Sequence, residues 1–158
     1  MSERLTAQAI NMPLGDVCLD DIKQVLSPDV TRFLPQSLHN IDSSEKVNNW
    51  LEAQLAQSQV VGIYHKEDNK LIGLLIIYVE NTTVHLGYLF NKAYWGGGLA
   101  KEMLGSFIDF SKNNTDWSAL IGGVHIDNHA SSHLLRRFHF TQQKTPSSDM
   151  LSYKLILK

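Results

Sequence analysis

Three consecutive glycines stand directly before a long amphipathic helical pattern near the middle of the chain. They are Gly96, Gly97 and Gly98. Apolar and small residues then recur three and four positions apart, which predicts one buried helix face. The residues of that face are Ala100, Met103, Leu104, Phe107, Ile108 and Ser111. Glycines allow close backbone approach, and a helix N-terminus offers unpaired N–H donors, so the segment predicts a phosphate or pyrophosphate site or, alternatively, a tight turn.

Hydrophobic periodicity predicts a mixed α/β chain. The predicted strands are Arg4 to Ala9, Val60 to His65, Leu71 to Val79, Thr83 to Phe90, Ser118 to Ile126, Phe140 to Gln143 and Met150 to Leu157. The predicted helices are Leu14 to Leu26, a short segment after Pro28, a segment capped by Ser43 or Ser44, the glycine-loop helix, and Asn128 to Phe138. The strand–helix–strand unit from Thr83 to Ile126 implies one parallel pair within an otherwise antiparallel sheet.

Composition narrows the class of protein. A chain of 158 residues with 43% hydrophobic content fits one domain, spanning residues 1–158. The single cysteine, Cys18, predicts a reducing compartment and a packing role. The N-terminus lacks a signal-peptide pattern and the apolar run Leu71 to Val79 is too short to span a membrane, so we expect a soluble cytoplasmic protein. A net charge of −2 lacks the excess of positive charge that is typical of nucleic-acid-binding proteins.

Two common phosphate-binding motifs do not fit the glycine loop. The phosphate-binding loop of nucleoside triphosphatases requires Gly-Lys-Ser/Thr, whereas Leu99 and Ala100 follow Gly98. A dinucleotide fingerprint requires glycine where Lys101 stands. The loop from Trp95 to Ala100 instead resembles the Gln/Arg-x-x-Gly-x-Gly/Ala pyrophosphate loop of the GNAT superfamily of acetyl-CoA-dependent N-acetyltransferases, with Trp95 in place of the usual first residue.

A second segment carries the same resemblance. Asn128 to Phe140 is similar to the Asn-x-x-Ser/Ala…Leu-Gly-Phe helix of that family, with His139 at the glycine position. Together with Leu86-Gly87-Tyr88 and the lead-in Tyr94-Trp95-Gly96, it points to the branch that contains the enzymes acetylating N-terminal amines of ribosomal proteins and many relatives of unknown substrate. The resemblance implies a GNAT fold of about six to seven strands, mostly antiparallel with one splayed parallel pair, flanked by about four helices.

The resemblance also implies the site residues. Acetyl-CoA would be bound by Leu89, Phe90, Trp95, Gly96, Gly97, Gly98, Leu99, Ala100, Lys101, Asn128 and Ser131. The base in this branch is a glutamate, and His85 holds that position; a histidine can take the role because it titrates near neutrality, or it can be a packing residue. The frequent tyrosine acid maps onto Leu135, which leaves Ser131 as a candidate partner of the leaving sulfur or, alternatively, a helix-capping residue.

The expected reaction is direct attack of a primary amine on the thioester. A protein or peptide N-terminal amine is the favoured acceptor; a small-molecule amine and a non-catalytic acyl-CoA-binding module are the alternatives. We expect no metal, because the repeat of His125, His129 and His133 lacks the Glu of a His-Glu-x-x-His motif and His125 falls on the preceding predicted strand. The loop from Lys144 to Asp149 and the early helices would shape the acceptor site. The sequence is compatible with a homodimer.

Overall fold

The part of the chain that the structure describes forms one seven-stranded sheet with helices on both faces. The computed structural model describes residues 2–12, 14, 19–144 and 149–158. The strands are β1 (Leu5–Ala9), β2 (Gln59–His65), β3 (Lys70–Glu80), β4 (Thr83–Phe90), β5 (Ala119–His125), β6 (Thr141–Gln143) and β7 (Met150–Ile156). The α-helices are α1 (Leu19–Val25), α2 (Pro28–Thr31), α3 (Ser44–Leu55), α4 (Leu99–Asn114) and α5 (His129–Arg137). Short 3₁₀ turns cover Gln36–Leu38 and Lys92–Tyr94.

The sequence-based elements are confirmed in type and order, with shifts at their ends. The glycine-loop helix α4 begins at Leu99, one residue before Ala100, and runs to Asn114. Ser43 is the N-cap of α3, because its side chain accepts a hydrogen bond from the backbone N–H of Lys46. The prediction that the first helix starts at Leu14 is wrong at that residue, which is not helical. Residues 15–18, including Cys18, lie outside the described residues.

The strand order β1-β2-β3-β4-β5-β7-β6 places the only parallel pair of the described sheet at its centre. β4 and β5 pair from Thr83 opposite Ala119 to Leu86 opposite Gly122. The two strands continue to Phe90 and His125 without further pairing between them. They therefore separate at their C-terminal ends, as the resemblance implied.

Two hydrophobic cores cover the two faces of the sheet. One core packs α4 and α5 against one face and includes Met103, Leu104 and Leu75. The other packs α1 and α3 against the opposite face and includes Leu51 and Leu74. Because β3 is covered on both faces, its sequence is continuously apolar and shows no alternation. β4 likewise supplies residues to both sides of the sheet, because Leu89 lies in the core with α1 and α3 and Phe90 in the core with α4 and α5.

Helix α5 ends in a Schellman motif built without glycine. The N–H of Phe140 donates to the carbonyl of Leu135, and the N–H of His139 donates to the carbonyl of Arg136. His139 adopts a φ of 69°, the left-handed conformation that glycine usually supplies. Phe140 and Leu135 both lie in the core on the α4 and α5 side. The turn thus forms despite the histidine, with local backbone strain at His139.

Within the described residues, the helices are all too short or too polar to pass through a lipid bilayer.

Candidate active site

The glycine loop joins the end of β4 to α4 and relies on positive φ angles. Gly96 and Gly98 have φ values of 86° and 79°, and Gly98 is the N-cap of α4. A Cβ added at Gly96 or Gly97 would meet no heavy atom within 4 Å. The N–H groups of the first turn of α4 have no partners inside the helix. Open space beside these donors, at the positive end of the helix dipole, fits an anionic group such as a pyrophosphate.

Arg4 and Glu102 fasten the segment before β1 to this loop. The Nη1 atom of Arg4 donates to the carbonyl of Gly97 at 2.9 Å, and its Nε donates to Glu102 Oε1 at 2.7 Å. The other carboxylate oxygen accepts from the backbone N–H of Arg4 at 2.8 Å and from the hydroxyl of Ser2. Burial on its own raises the pKa of Glu102, but the hydrogen bonds from Ser2 and Arg4, with the Arg4 charge, outweigh it and lower the pKa to about 2. Glu102 is therefore ionised at neutral pH.

A cavity of about 350 Å³ opens where β4 and β5 separate. Its lining comes from both sides of the sheet: Phe33, Leu34, Pro35, Leu38, Gln54, Ile76, His85, Leu86, Gly87, Tyr88, Leu89, Gly122, Gly123, Val124, His125, Asn128, Ser131, Leu135 and Met150. Among these described residues there is no Asp, Glu, Lys or Arg. A larger depression of about 550 Å³ lies along α3 and the segment before it, away from β4, β5 and the glycine loop. The smaller cavity is the candidate site because it lies where β4 and β5 separate, although the other depression has the larger volume.

Ser131 enters the cavity from the first turn of α5. The Oδ1 atom of Asn128 accepts a hydrogen bond from the Ser131 backbone N–H at 3.3 Å, which confirms Asn128 as the N-cap. The Ser131 hydroxyl lies 2.8 Å from the hydroxyl of Tyr88 on β4. Burial raises the pKa of the Tyr88 phenol, and the hydrogen bond with Ser131 offsets this only in part. The phenol therefore stays protonated at neutral pH.

His85 lines the same cavity from β4. It pairs with Ile121 of β5, one residue before the last pair between the two strands. Its side chain is 44% exposed, and its Nε2 lies 3.8 Å from Oε2 of Glu80. Its ring is 5.9 Å from that of Tyr78. An imidazole that reaches both the cavity and solvent can take a proton from a group in the cavity and pass it to water.

Three further residues of the expected cofactor set, Leu89, Phe90 and Trp95, lie at the end of β4 and in the loop that follows it. Leu89 and Phe90 pair with Leu74 and Gly73 of β3 at the end of β4. Trp95 is half exposed, and its Nε1 donates to the Phe90 carbonyl at 2.8 Å, which ties the loop to the strand end.

On α4, the side chains lie on different sides of the helix. Leu99 packs in the core and Ala100 beside it, so only their backbone groups are available to a ligand. Lys101 is exposed in the first turn.

The three histidines with a spacing of four are not brought together. His125 ends β5 and stacks on Phe33 with ring centroids 5.4 Å apart, whereas His129 begins α5 and His133 is exposed on that helix. In the described part of the chain, no group of three or more His, Cys, Asp or Glu side chains is arranged to hold a metal ion. Of the expected acceptor loop, residues 145–148 lie outside the described residues, and Met150, which follows it, lines the cavity.

Sequence reasoning missed the roles of Arg4, Glu102 and Tyr88. Arg4 and Glu102 are 98 positions apart, and Tyr88 and Ser131 are 43 apart, so no local pattern could pair them. Tyr88 could have been noticed as a polar residue two positions from buried Leu86, on the same strand face. No comparable signal marks Arg4.

Comparison with known proteins gives the same fold and family. Residues 14–141 match the family model described as an acetyltransferase (GNAT) domain. No curated protein matches the chain by sequence.

Solved structures match over nearly the whole chain. A GNAT-family acetyltransferase from Bacillus anthracis superposes with a TM-score of 0.81 at 16% identity, covering 99% of this chain and 96% of that one. Spermidine N-acetyltransferase from Vibrio cholerae, in complex with CoA and spermine, gives 0.79 at 14% identity, covering 98% and 96%. The acetyltransferase from Salmonella typhimurium that modifies the N-terminal serine of ribosomal protein L7/L12 gives 0.78 at 18%, covering 99% and 97%. At these identities the likeness shows the fold.

Proposed function

The chain belongs to the GNAT acetyltransferase family, whose cosubstrate is acetyl-CoA, and we propose that it acetylates the N-terminal amine of a protein or peptide. The observation that carries this proposal is the uncharged cavity where β4 and β5 separate, next to an open glycine loop at a helix N-terminus. The proposal treats residues 1–158 as one catalytic domain.

Acetyl-CoA fits the residues present. The pyrophosphate is placed at Gly96 to Gly98 and the first turn of α4, with Lys101 as a nearby cation. The residues that would hold the pantetheine arm are at the separated ends of β4 and β5: the backbone of Leu89 and Phe90 and the side-chain amide of Asn128. Ser131 would then lie beside the thioester. Support for this path comes from the space beside Gly97 and from the cavity lining.

The reaction proceeds by direct transfer. The amine nitrogen attacks the thioester carbonyl, the C–N bond forms, and the C–S bond breaks with its electron pair remaining on sulfur. His85 accepts the proton that nitrogen loses and passes it to water. The Ser131 hydroxyl donates a hydrogen bond to the departing thiolate. Leu135, buried in the cavity wall, has no proton to give.

The lining of the cavity favours an N-terminal amine over a polyamine. A polyamine carries several positive charges, and no described lining residue is acidic; burying such charges without partners is costly. An α-amine has a pKa of about 7.7 to 8, whereas a lysine amine has one of about 10.4, so a histidine base suits the former. The known proteins of similar fold include both kinds of enzyme, one acting on an N-terminal serine and one named for spermidine.

The test is acetylation of a panel of amines at saturating acetyl-CoA. The panel contains peptides that differ only in their first residue, the same peptides with a blocked N-terminus and an internal lysine, and spermidine. Transfer to free N-termini at a kcat/KM at least tenfold above the other amines supports the proposal. Preference for spermidine would contradict it. Acetyl-CoA binding without product from any amine would favour the acyl-CoA-binding alternative, which the leucine at position 135 motivates.

A further inference from the structure

We propose that Tyr88 is a positioning residue that directs the hydroxyl hydrogen of Ser131 toward the sulfur of CoA. This inference deepens the proposed function and rests on it. It concerns two residues that meet across the cavity, Tyr88 on β4 and Ser131 on α5, with their hydroxyl oxygens 2.8 Å apart.

The direction of this hydrogen bond follows from the chemistry of the two hydroxyls. A phenol is the stronger acid and the poorer acceptor, because its oxygen lone pair is delocalised into the ring. Tyr88 is partly buried against the core formed with α4 and α5, and its hydroxyl has no other partner in the described part of the chain. Both hydroxyls line the cavity, so the direction is decided by donor and acceptor strength: the more acidic phenol donates and the alkyl hydroxyl, the better acceptor, accepts. Tyr88 therefore donates and Ser131 accepts.

Once Ser131 accepts from Tyr88, its own hydrogen must point elsewhere. The backbone N–H of Ser131 is already paired with the side chain of Asn128, and no described residue other than Tyr88 bonds to the Ser131 hydroxyl. The Ser131 hydroxyl lines the cavity, so its hydrogen points toward a ligand bound there. A departing thiolate is a hydrogen-bond acceptor with a full negative charge, for which an aligned O–H is the matching donor.

The pair also restores a tyrosine to the reaction. The position that often carries a tyrosine in this family is Leu135, one turn after Ser131 on the same helix and 1% exposed. Tyr88 reaches Ser131 from the opposite wall of the cavity and acts through it without giving up its own proton. Burial raises the pKa of the Tyr88 phenol, so the phenol keeps its proton at neutral pH. Ser131 retains its proton as well, and the thiolate leaves stabilised by its hydrogen bond.

The chain offers a matched control for removing a buried tyrosine hydroxyl. Tyr153 on β7 is fully buried, and its hydroxyl has no hydrogen-bond partner in the described residues. Tyr153→Phe therefore makes the same chemical change as Tyr88→Phe without breaking a hydrogen bond. Neither change alters the charge or the shape of the ring.

The first experiment measures the pKa of the thiol of bound CoA, which needs no acceptor amine. The thiolate is followed by ultraviolet absorbance as the difference between complexes with CoA and with desulfo-CoA, so that protein titration cancels. His85 and His125 are the other titratable groups that line the cavity, and they are the same in every variant. We expect Tyr88→Phe and Ser131→Ala each to raise the thiol pKa by about one unit, and Tyr153→Phe to leave it unchanged.

The second experiment tests whether Tyr88 acts through Ser131. We expect Tyr88→Phe to lower kcat about tenfold with little change in the KM for acetyl-CoA, and to have less than a twofold effect when Ser131 is already alanine. An unchanged thiol pKa in Tyr88→Phe, or additive losses in the double variant, would overturn the inference and leave acetyl transfer by the wild type standing. A wild type that binds CoA but acetylates no amine would defeat the proposed function, while the thiol titration still decides the role of Tyr88. Absence of CoA binding would overturn both.

Discussion

Replacing Glu102 by glutamine tests the contact network that holds the glycine loop. The carboxylate accepts hydrogen bonds from Ser2 and from the backbone and side chain of Arg4. Bonds to a charged group contribute about 1.5 to 3 kcal/mol when shielded, but the side chains of Arg4 and Glu102 are 45% and 19% exposed. Discounting for solvent screening, we expect a loss of about 1 to 2 kcal/mol at pH 7. For a domain of this size, that lowers Tm by roughly 2 to 8 °C.

The pH dependence gives a sharper signature. The folded protein lowers the pKa of Glu102 from 4.5 to about 2, so ionised Glu102 favours the folded state. This stabilisation is fully present above pH 4.5 and is lost as the pH falls toward 2. Thermal melts of wild type and Glu102→Gln between pH 7 and pH 2 should therefore converge at the acid end.

Glu45→Gln is the matched control, because Glu45 also lies in the first turn of a helix and is exposed. We expect it to change Tm by less than 1 °C at pH 7, because an exposed carboxylate contributes little to the free energy of unfolding. The reasoning would be refuted if Glu102→Gln melted like Glu45→Gln at pH 7. It would also be refuted if the gap between wild type and Glu102→Gln stayed constant down to pH 2.

Three further substitutions test other parts of the account. His139→Gly should raise the free energy of unfolding in urea by about 0.5 to 1 kcal/mol. Glycine removes the strain of a left-handed φ of 69°, and this gain exceeds the conformational entropy that glycine adds to the unfolded chain; a loss of stability would contradict this. Gly73→Ala should cost about 1 to 3 kcal/mol and weaken acetyl-CoA binding, since its Cβ would lie 2.8 Å from the Leu89 carbonyl; wild-type binding and stability would count against the tight packing of β3 on β4. His85→Ala should lower kcat with the KM for acetyl-CoA unchanged, and an unchanged kcat would remove His85 from the role of base.

Much of the fold could be predicted because its signals are local. The glycine loop and the apolar spacing after it marked the start of α4 to within one residue, since both positive φ and helix periodicity depend on neighbours in sequence. The parallel pairing of β4 with β5 followed from the helix between them. The capping role of Asn128 was likewise visible from its place before α5.

The parts that could not be predicted depend on the assembled fold. Arg4 reaches the Gly97 carbonyl only because β1 begins beside the start of α4, a long-range arrangement that one sequence does not reveal. The contact between Tyr88 and Ser131 needs the exact separation of two strands and the tilt of α5. His139 replaces the expected glycine, yet the Schellman turn forms, because packing of Phe140 and Leu135 outweighs about 1 kcal/mol of backbone strain.

The most direct test of the central claim, that the glycine loop binds the pyrophosphate of acetyl-CoA, is calorimetric titration of three proteins at low salt. They are the wild type, Gly97→Gln and Gly97→Glu. A side chain at Gly97 has open space and no positive φ to oppose it, so both variants should fold, and they differ by one charge. We predict micromolar binding by the wild type, weaker binding by Gly97→Gln, whose side chain takes up part of the open space, and at least a tenfold further loss in Gly97→Glu, because like charges repel at this site. Equal affinity of the two variants for acetyl-CoA would contradict the claim and leave the glycines as a turn.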